Sequence, residues 1–260
     1  MNQLKWRNAK RILALALVAG IGVGAFRLAV RKQEDAAVYT FSTAKNVPVI
    51  VLDAGHGGMD GGCSSAAGVP EKGINLNILL NLRDLLSVSG YEVVVTRDTD
   101  RSIHDSGIEG IANQKSSDMD NRLAIFNERS NAVCISIHQN QFTDPKYSGA
   151  QMFYAPTNKD SERLAQKLQG SFHTRLQPDN DREIKQCGKE LFLCYFSKNP
   201  TVMVECGFLS NPGEAALLET EEYQRKLAAV LLAGYLDYYP AAQNFYGGGC
   251  YESENDFLLH

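Results

Sequence analysis

The stretch VIVLDAGHGGMDGG, residues 49–62, decides the fold class of this 260-residue chain. Four apolar residues run directly into Asp53, and His56 follows within a cluster of glycines. A short apolar run bounded by turn residues is typical of a strand that is buried on both faces. Glycine neighbours leave unusual room around the imidazole of His56. The stretch therefore predicts a buried strand of an α/β sheet and a candidate site at its end.

Strands and helices alternate along the chain after this stretch. The predicted strands are VPVIVLD, YEVVVTR, AVCISIH, AQMFYA, ELFLCYF and TVMVEC. The predicted helices begin at Glu71, contain residues 123–126, and span residues 161–176, 213–218 and 221–239, whereas residues 102–118 are interpreted as a polar loop. This alternation predicts an α/β fold: a single domain with a twisted, mostly parallel sheet and helices on both faces.

The N-terminal segment carries the pattern of an export signal or a membrane anchor. Residues 12–26 form an uncharged apolar run with basic residues on both sides, and no clear A-x-A cleavage site follows. We therefore expect residues 1–32 to contact the membrane as an uncleaved anchor and the domain to lie on its extracytoplasmic face. Residues 33–46 are expected to be a linker, residues 47–240 the folded domain, and residues 241–260 a flexible tail.

Composition excludes several classes of function. The net charge of −4 gives no indication of a nucleic-acid partner. The six cysteines form no CxxC pair and no zinc-finger spacing, and nothing indicates a disulfide framework. Cys134, Cys194 and Cys206 lie in or beside apolar runs, where they are interpreted as small buried hydrophobic residues.

Four polar residues lie where a catalytic site of an α/β sheet is expected. His56 and His138 follow predicted strands, Glu205 lies at the end of TVMVE, and Glu71 opens the first helix. Two histidines and one carboxylate are a common ligand set of catalytic zinc, and a nearby carboxylate outside that set can act as general base. No HExxH motif is present to fix this assignment.

Each residue also has a structural interpretation. Glu71 could complement the helix dipole, and His138 could be a core histidine with satisfied hydrogen bonds. The glycines around His56 could cradle a phosphate, although the stretch matches neither GxGxxG nor a P-loop. A purely structural role hardly explains Glu205 within an apolar strand, because burial of a lone carboxylate costs free energy.

Six blocks between about residues 47 and 239 resemble, in order, the zinc-dependent N-acetylmuramoyl-L-alanine amidases of the Amidase_3 type. The blocks are VIVLDAGHGGMDGG, EKGINLNILLNL, GYEVVVTRDTD, NRLAIFNERSNAVCISIHQNQ, SGAQMFY and VMVECGFLSNPGEAALL. The resemblance implies one Zn²⁺ held by His56, Glu71 and His138, with Glu205 as the catalytic acid and base. Ala54 stands where the family usually has proline, and this departure puts no ligand in doubt.

The resemblance implies hydrolysis of the amide between the lactyl group of N-acetylmuramic acid and L-alanine in peptidoglycan (EC 3.5.1.28). Asn140 and Arg182 are candidate substrate contacts, with surface loop positions as the alternative. The chain looks most similar to the CwlD-like sporulation branch, which implies muramic δ-lactam formation in spore cortex, location in the forespore intermembrane space and an activating lipoprotein partner. Two alternatives are an exported peptidoglycan-binding protein with an inactive site and a zinc hydrolase that cuts within the stem peptide.

Overall fold

The structure is a computed structural model that describes residues 47–239. The expected anchor (1–32), linker (33–46) and tail (241–260) lie outside the described residues. Within residues 47–239, no helix is long and apolar enough to cross a membrane.

The described chain folds into one six-stranded sheet and six helices. The strands are β1 (Val49–Ala54), β2 (Val93–Val95), β3 (Ala132–Asn140), β4 (Gln151–Tyr154), β5 (Lys185–Gln186) and β6 (Thr201–Phe208). The helices are α1 (Glu71–Val88), α2 (Ile111–Asn127), α3 (Asp160–Arg175), α4 (Phe192–Phe196), α5 (Pro212–Leu218) and α6 (Glu221–Tyr238).

The sheet is mostly parallel, as the alternation of elements predicts. Its strand order is β2-β1-β3-β6-β4-β5. Strands β2, β1, β3 and β6 are mutually parallel, whereas β4 runs antiparallel to β6 and pairs in parallel with β5. The candidate site lies at the carboxyl ends of these parallel strands, where their last side chains meet.

Helices cover both faces of the sheet. Ile50 and Leu52 of β1 point into the larger core, which contains apolar residues of α1, α3 and α6. Val51 points the other way and packs with Cys134 and with Phe126 of α2 in a second cluster. This alternation follows from the two-residue period of a strand, and it explains why β1 is apolar at every one of these positions.

The prediction of a strand at ELFLCYF is wrong, because this segment forms the short helix α4. Leu193 and Cys194 of α4 are buried, so the apolar run does contact the core. A short apolar run cannot be assigned to strand or helix by periodicity alone. The edge of the sheet is formed instead by β5, whose two residues are polar and exposed.

The predicted polar loop at residues 102–118 is partly wrong, because α2 already begins at Ile111. Gly110 precedes this helix with a φ of 84°, a conformation that glycine adopts without strain. The first turns of α2 are largely exposed, and after Ile111 and Ala112 they are polar, which hides the helical period from a search for apolar residues. The buried face of α2 is formed by Asp118, Arg122 and Phe126 at intervals of four.

The register of the parallel strands determines where the site forms. Ala54 at the end of β1 is paired with Ile137 of β3. His138, the next residue of β3, is paired with Glu205 of β6. The carboxyl end of β1, His138 and Glu205 therefore lie side by side, where the parallel strands of the sheet end.

Helix α6 approaches α3 closely at Gly234, and this contact predicts a large cost for a single methyl group. A Cβ atom at Gly234 would lie 2.9 Å from the Cα atom of Leu168 and 3.1 Å from Cβ of Ser171. We expect Gly234→Ala to lower the free energy of unfolding by about 1–3 kcal/mol, measured by urea denaturation. Gly170→Ala on exposed α3 surface, where a Cβ meets nothing within 4 Å, is the control and should be neutral or stabilising. Equal effects of the two substitutions would contradict this account.

Candidate metal centre

His56 lies in a strained turn directly after β1. Its φ is 64°, which makes it the one non-glycine residue with positive φ in the described chain, and Gly57 and Gly58 also have positive φ. A non-glycine residue in this region is energetically costly and persists only where surrounding contacts impose it. The turn directs the imidazole towards Glu71 and His138.

Three side chains converge at the carboxyl ends of the parallel strands in the arrangement of a metal site. His56 Nε2 lies 2.9 Å from Glu71 Oε1, and His138 Nδ1 lies 3.2 Å from the same oxygen. The ligand atoms of the three residues all lie within 4.8 Å of one another. Two imidazoles and one carboxylate form an open catalytic zinc set that leaves a position for water. The structure thus brings together the three residues that the sequence predicts as ligands.

Two glycines provide the space in which these side chains meet. A Cβ atom at Gly55 would lie 2.1 Å from Cε1 of His138. A Cβ atom at Gly62 would lie 2.4 Å from Cγ of Glu71 and 2.7 Å from Cδ2 of His56. Any larger residue at either position would displace a candidate ligand, which explains the glycines in the opening stretch.

Asp60 fixes the orientation of His56. Its Oδ2 lies 2.8 Å from His56 Nδ1, and its Oδ1 lies 2.8 Å from Nζ of Lys115. A carboxylate on one imidazole nitrogen fixes the tautomer and leaves the other nitrogen, here Nε2, to bind a metal. Sequence analysis assigned Asp60 no role, although it lies four residues after His56 within the opening stretch.

Glu71 is buried and is held by the polypeptide around it. Its Oε2 accepts a hydrogen bond of 2.9 Å from the backbone N–H of Cys63, and its Oε1 accepts one of 3.1 Å from Nδ2 of Asn75. The Asn75 amide also donates to the carbonyl of Gly55 at 3.2 Å. These contacts tie the first turn of α1 to the turn that carries His56. Sequence analysis also missed Asn75, which occupies the next turn of α1 on the same face as Glu71.

The electrostatics of the cluster favour a cation. Burial alone would raise the pKa of Glu71, but hydrogen bonds to His138 and His56 outweigh it and hold this pKa far below its usual value. Burial alone would likewise lower the pKa of His56, but hydrogen bonds to Glu71 and Asp60 raise it to about 9. Ionised carboxylates on both sides of His56 therefore favour positive charge at the position where the three ligand atoms meet.

Glu205 has the environment of a residue that exchanges a proton. Burial, together with the negative charge of Glu71, raises its pKa to about 7 against the opposing influence of His138 and His56. Its Oε2 is buried and has no hydrogen-bond partner within residues 47–239. A carboxyl group with a pKa near neutrality is suited to accept and then donate a proton.

A buried arginine, which sequence analysis missed, supports the turn of His56. Arg122 of α2 pairs with Asp53 at 2.5 Å and with Asp118 at 2.6 Å. It also donates to the backbone carbonyls of Ala54 and His56, each at 2.8 Å. The signal in the sequence is the spacing of Asp118, Arg122 and Phe126, which places two charged residues on the buried face of a helix.

A second buried arginine supports the same turn from another direction. Arg97, which follows β2, donates from Nε to the carbonyl of Ala54 at 2.9 Å. Its Nη2 donates to the carbonyls of Gly55 at 3.0 Å and Lys72 at 2.7 Å. Guanidinium groups suit this task because their donors have a fixed planar arrangement. The two arginines together fix successive carbonyls of the turn and sustain its strained backbone.

Two cavities meet at the cluster and differ in the residues of their walls. Both are lined by a common set: His56, Asp60, Lys115, His138 and Glu205. The first, of about 390 Å³, is here called the apolar cavity, because six apolar side chains line it beside the polar Ser102, Asp118, Arg122 and Glu190; the six are Met59, Met119, Leu191, Phe192, Leu193 and Met203. The second, of about 430 Å³, is called the polar cavity and is also lined by Gly62, Cys63, Glu71, Gln139, Asn140 and Gln141. A substrate that crosses the cluster would extend into both.

The two predicted substrate contacts differ in their placement. Asn140 lies at the end of β3 and lines the polar cavity. Arg182 lines neither of the two cavities. Its guanidinium donates to the carbonyl of Ser148 at 2.8 Å and to Oε1 of Gln151 at 3.0 Å, and it lies over the ring of Phe208. Asn140 thus lies beside the cluster, whereas Arg182 contacts the segment before β4, β4 itself and the end of β6.

The cysteines behave as the sequence indicates. The five within residues 47–239 are free thiols, and Cys134, Cys194 and Cys206 are buried. Burial raises the pKa of Cys134 to about 12, which keeps its thiol protonated and inert.

Several known proteins are similar to this chain. The family model Amidase_3, described as N-acetylmuramoyl-L-alanine amidase, matches residues 50–236. The germination-specific N-acetylmuramoyl-L-alanine amidase of Bacillus subtilis is 34% identical over 191 residues, which are 74% of this chain and 79% of that protein. The CwlD amidase of Clostridioides difficile, solved in complex with the GerS lipoprotein, is 36% identical with a TM-score of 0.71. The match covers 74% of this chain and 98% of that one.

The arrangement around His56 predicts that Asp60 governs metal affinity. We expect Asp60→Ala to weaken zinc binding by about 10- to 100-fold, because His56 loses the group that fixes its tautomer. The measurement is competition for Zn²⁺ against a chelating dye. Asp84→Ala, which removes an exposed carboxylate paired with Arg83 on the surface of α1, is the control and should bind zinc like the wild type. Unchanged affinity in Asp60→Ala would contradict the role of this carboxylate.

The buried pair of Asp53 and Arg122 predicts a pH-dependent loss of stability. Arg122→Met leaves the Asp53 carboxylate buried without its counter-charge, which should cost about 3–5 kcal/mol at pH 7. In the wild type, Arg122 and hydrogen bonds from Ser136 and Thr96 hold the pKa of Asp53 below 3.8 despite burial, so its contribution is lost only as pH falls below that value.

The loss of unfolding free energy caused by Arg122→Met should therefore be smaller at pH 4 than at pH 7, because the unpaired carboxyl group of Asp53 in the variant can take up a proton. Urea unfolding at the two pH values measures this. Arg129→Met, which breaks an exposed pair with Glu92, should cost less than about 1 kcal/mol at both. A deficit of Arg122→Met that stays constant with pH would show that the cost does not come from the charge of Asp53.

Proposed function

We propose a reaction for this chain, which belongs to the Amidase_3 family of N-acetylmuramoyl-L-alanine amidases. It hydrolyses its substrate with one zinc ion held by His56, Glu71 and His138. Glu205 is the proposed acid and base. The observation that carries the proposal is the pairing of His138 with Glu205 on adjacent strands, which places a buried, unpartnered carboxylate oxygen beside the ligand cluster.

The residues present fit a zinc ion in their chemistry and in their support. The donor set contains one carboxylate and two imidazoles, which bind metals in their neutral form. Zinc takes these ligands in open catalytic sites. Asp60 orients one imidazole, and Asn75 with the Cys63 N–H orients the carboxylate. When bound, zinc supplies Lewis-acid chemistry that polarises a carbonyl oxygen and increases the acidity of water.

The proposed reaction breaks the amide bond between the lactyl group of N-acetylmuramic acid and L-alanine. Glu205 removes a proton from the attacking water, whose oxygen forms a bond with the carbonyl carbon. The protonated Glu205 then donates this proton to the L-alanine nitrogen as the carbon–nitrogen bond breaks. The products are a peptide-free lactyl carboxylate on the glycan and a stem peptide with a free amino terminus, and Glu205 regains its initial state.

We further propose a role in spore cortex peptidoglycan. Support comes from the germination-specific amidase of B. subtilis among the relatives and from the similarity to the CwlD amidase. In this role the amidase removes the stem peptide, and a partner deacetylase then permits closure of muramic δ-lactam. The similar CwlD structure contains a lipoprotein, which supports the proposal that an activating lipoprotein partner also binds this chain. An extracytoplasmic location with an N-terminal anchor completes the proposal.

Mass spectrometry of the products tests the reaction. The chain, supplied with zinc and with and without a candidate lipoprotein partner, is incubated with purified peptidoglycan. The proposal predicts intact stem peptides that begin at L-alanine, together with unsubstituted glycan. Peptides cut between stem residues would instead establish a peptidase and contradict the proposed bond.

The role of Glu205 predicts a separation of catalysis from metal binding. We expect Glu205→Gln to lower kcat by at least about 100-fold, because the amide cannot accept the proton. Zinc content, measured by inductively coupled plasma mass spectrometry, should stay at one ion per chain. Glu92→Gln is the control, because this exposed carboxylate lies at the amino end of β2, whereas the cluster lies at the carboxyl ends of the parallel strands. Wild-type activity in Glu205→Gln with zinc retained would exclude the assignment.

A further inference from the structure

A pair of exposed aromatic side chains lies on the segment between β3 and β4. Phe142 is 53% exposed and Tyr147 is 38% exposed. Their rings contact edge to face, with centroids 5.0 Å apart. Two aromatic rings in contact on the surface present an apolar face with a negative centre, which is suited to contact a ligand. We call Phe142 and Tyr147 the aromatic pair.

The segment that carries the aromatic pair is braced against the rest of the domain. The N–H of Phe142 donates to Oγ of Ser210 at 3.0 Å. Nδ2 of Asn211 donates to the carbonyl of Pro145 at 2.9 Å. Further along, the N–H of Gly149 donates to the buried carboxyl group of Glu214. The rings are therefore held in place before any ligand arrives, which lowers the entropic cost of binding.

The aromatic pair follows, along the chain, residues that line one of the two cavities. Asn140 and Gln141 line the polar cavity, and Phe142 is the next residue of the chain. The Cα atoms of Phe142 and His138 are separated by at most about 14 Å, the length of four extended residues. Residues 139–147 do not line the apolar cavity. The segment that carries the aromatic pair is thus continuous with the wall of the polar cavity and not with that of the apolar cavity.

We propose that the aromatic pair binds a sugar ring of the glycan strand, so that the glycan leaves the cluster through the polar cavity and the stem peptide through the apolar cavity. This inference rests on the proposed function for its substrate class. The scissile amide has a polar sugar on one side and a peptide that begins with a methyl side chain on the other. The side-chain amides of Asn140 and Gln141 match sugar hydroxyls, whereas the methionine and leucine side chains of the apolar cavity match alkyl groups.

The chemistry of the aromatic pair selects a sugar in preference to a protein partner. The C–H groups on one face of a pyranose ring carry a slight positive charge, which complements the negative face of an aromatic ring. Two partly exposed rings offer far less than the about 800 Å² per partner that a stable protein interface buries, so by themselves they suit a small unit such as one sugar ring. Lys146 Nζ lies 5.3 Å from the centre of the Tyr147 ring, which adds a hydrogen-bond donor at the edge of the surface.

Titration calorimetry of peptide-free peptidoglycan strands with the 260-residue chain tests the inference without catalysis. We expect the double variant Phe142→Ala, Tyr147→Ala to bind these strands at least about tenfold more weakly than the wild type. Tyr147→Phe keeps the aromatic face and should retain affinity, whereas Phe142→Leu keeps apolar area but loses the face and should not. Phe196→Ala is the matched control, because Phe196 is also an exposed aromatic residue, 43% exposed, on α4.

Equal binding by the wild type and the double variant would overturn the inference, and so would an equal loss in Phe196→Ala. Loss of affinity in the double variant with an unchanged unfolding temperature would confirm it. A second readout is the KM for long strands that carry stem peptides, which should rise in the double variant while kcat and the KM for a single muramoyl peptide stay unchanged. If the wild type binds glycan through the aromatic pair but releases no stem peptide, the proposed amidase reaction fails and the glycan site stands.

Discussion

The site depends on a buried ion pair between Asp53 and Arg122. Asp53 ends the apolar part of β1 and accepts hydrogen bonds from Thr96 and Ser136, on the strands or segments to either side. Arg122 uses its remaining donors on the carbonyls of Ala54 and His56. Burial of two charges costs free energy of desolvation. The attraction between them offsets this cost only where their geometry is good and the other donors are also satisfied, as they are here. The pair thus links the core of the sheet to the turn that carries the first ligand.

This constraint explains how a strained histidine persists. The positive φ of His56 is held by hydrogen bonds to its own carbonyl and to the two carbonyls before it, from Arg122 and Arg97. Parallel register then brings His138 and Glu205 to the same edge, while α1 supplies Glu71 from its first residue. The four side chains come from distant segments, and each occupies a position that the backbone fixes. A cation between the ligands satisfies charges that the fold has already placed together.

The sequence was sufficient to predict the α/β class and the parallel strands. Periodicity also places His56, His138 and Glu205 at the ends of apolar strands and Glu71 at the start of a helix, but their roles as ligands and as acid and base are implied by the resemblance to the family and stay predictions. The role of ELFLCYF could not be predicted, because only tertiary contacts decide between strand and helix in so short a run. The supporting groups were missed for a different reason. Asp60, Asn75 and Arg122 act on other residues of the site, and such partners become visible only when distant segments are placed in space.

The central claim is that His56, Glu71 and His138 bind one zinc ion. Anomalous diffraction from a zinc-soaked crystal, recorded on both sides of the zinc absorption edge, tests this most directly. The account predicts one strong anomalous peak at about 2.0–2.2 Å from a nitrogen of each histidine and an oxygen of Glu71, with Glu205 close by and outside the ligand set. A peak at another position, or a peak whose ligands exclude any of the three residues, would contradict the account.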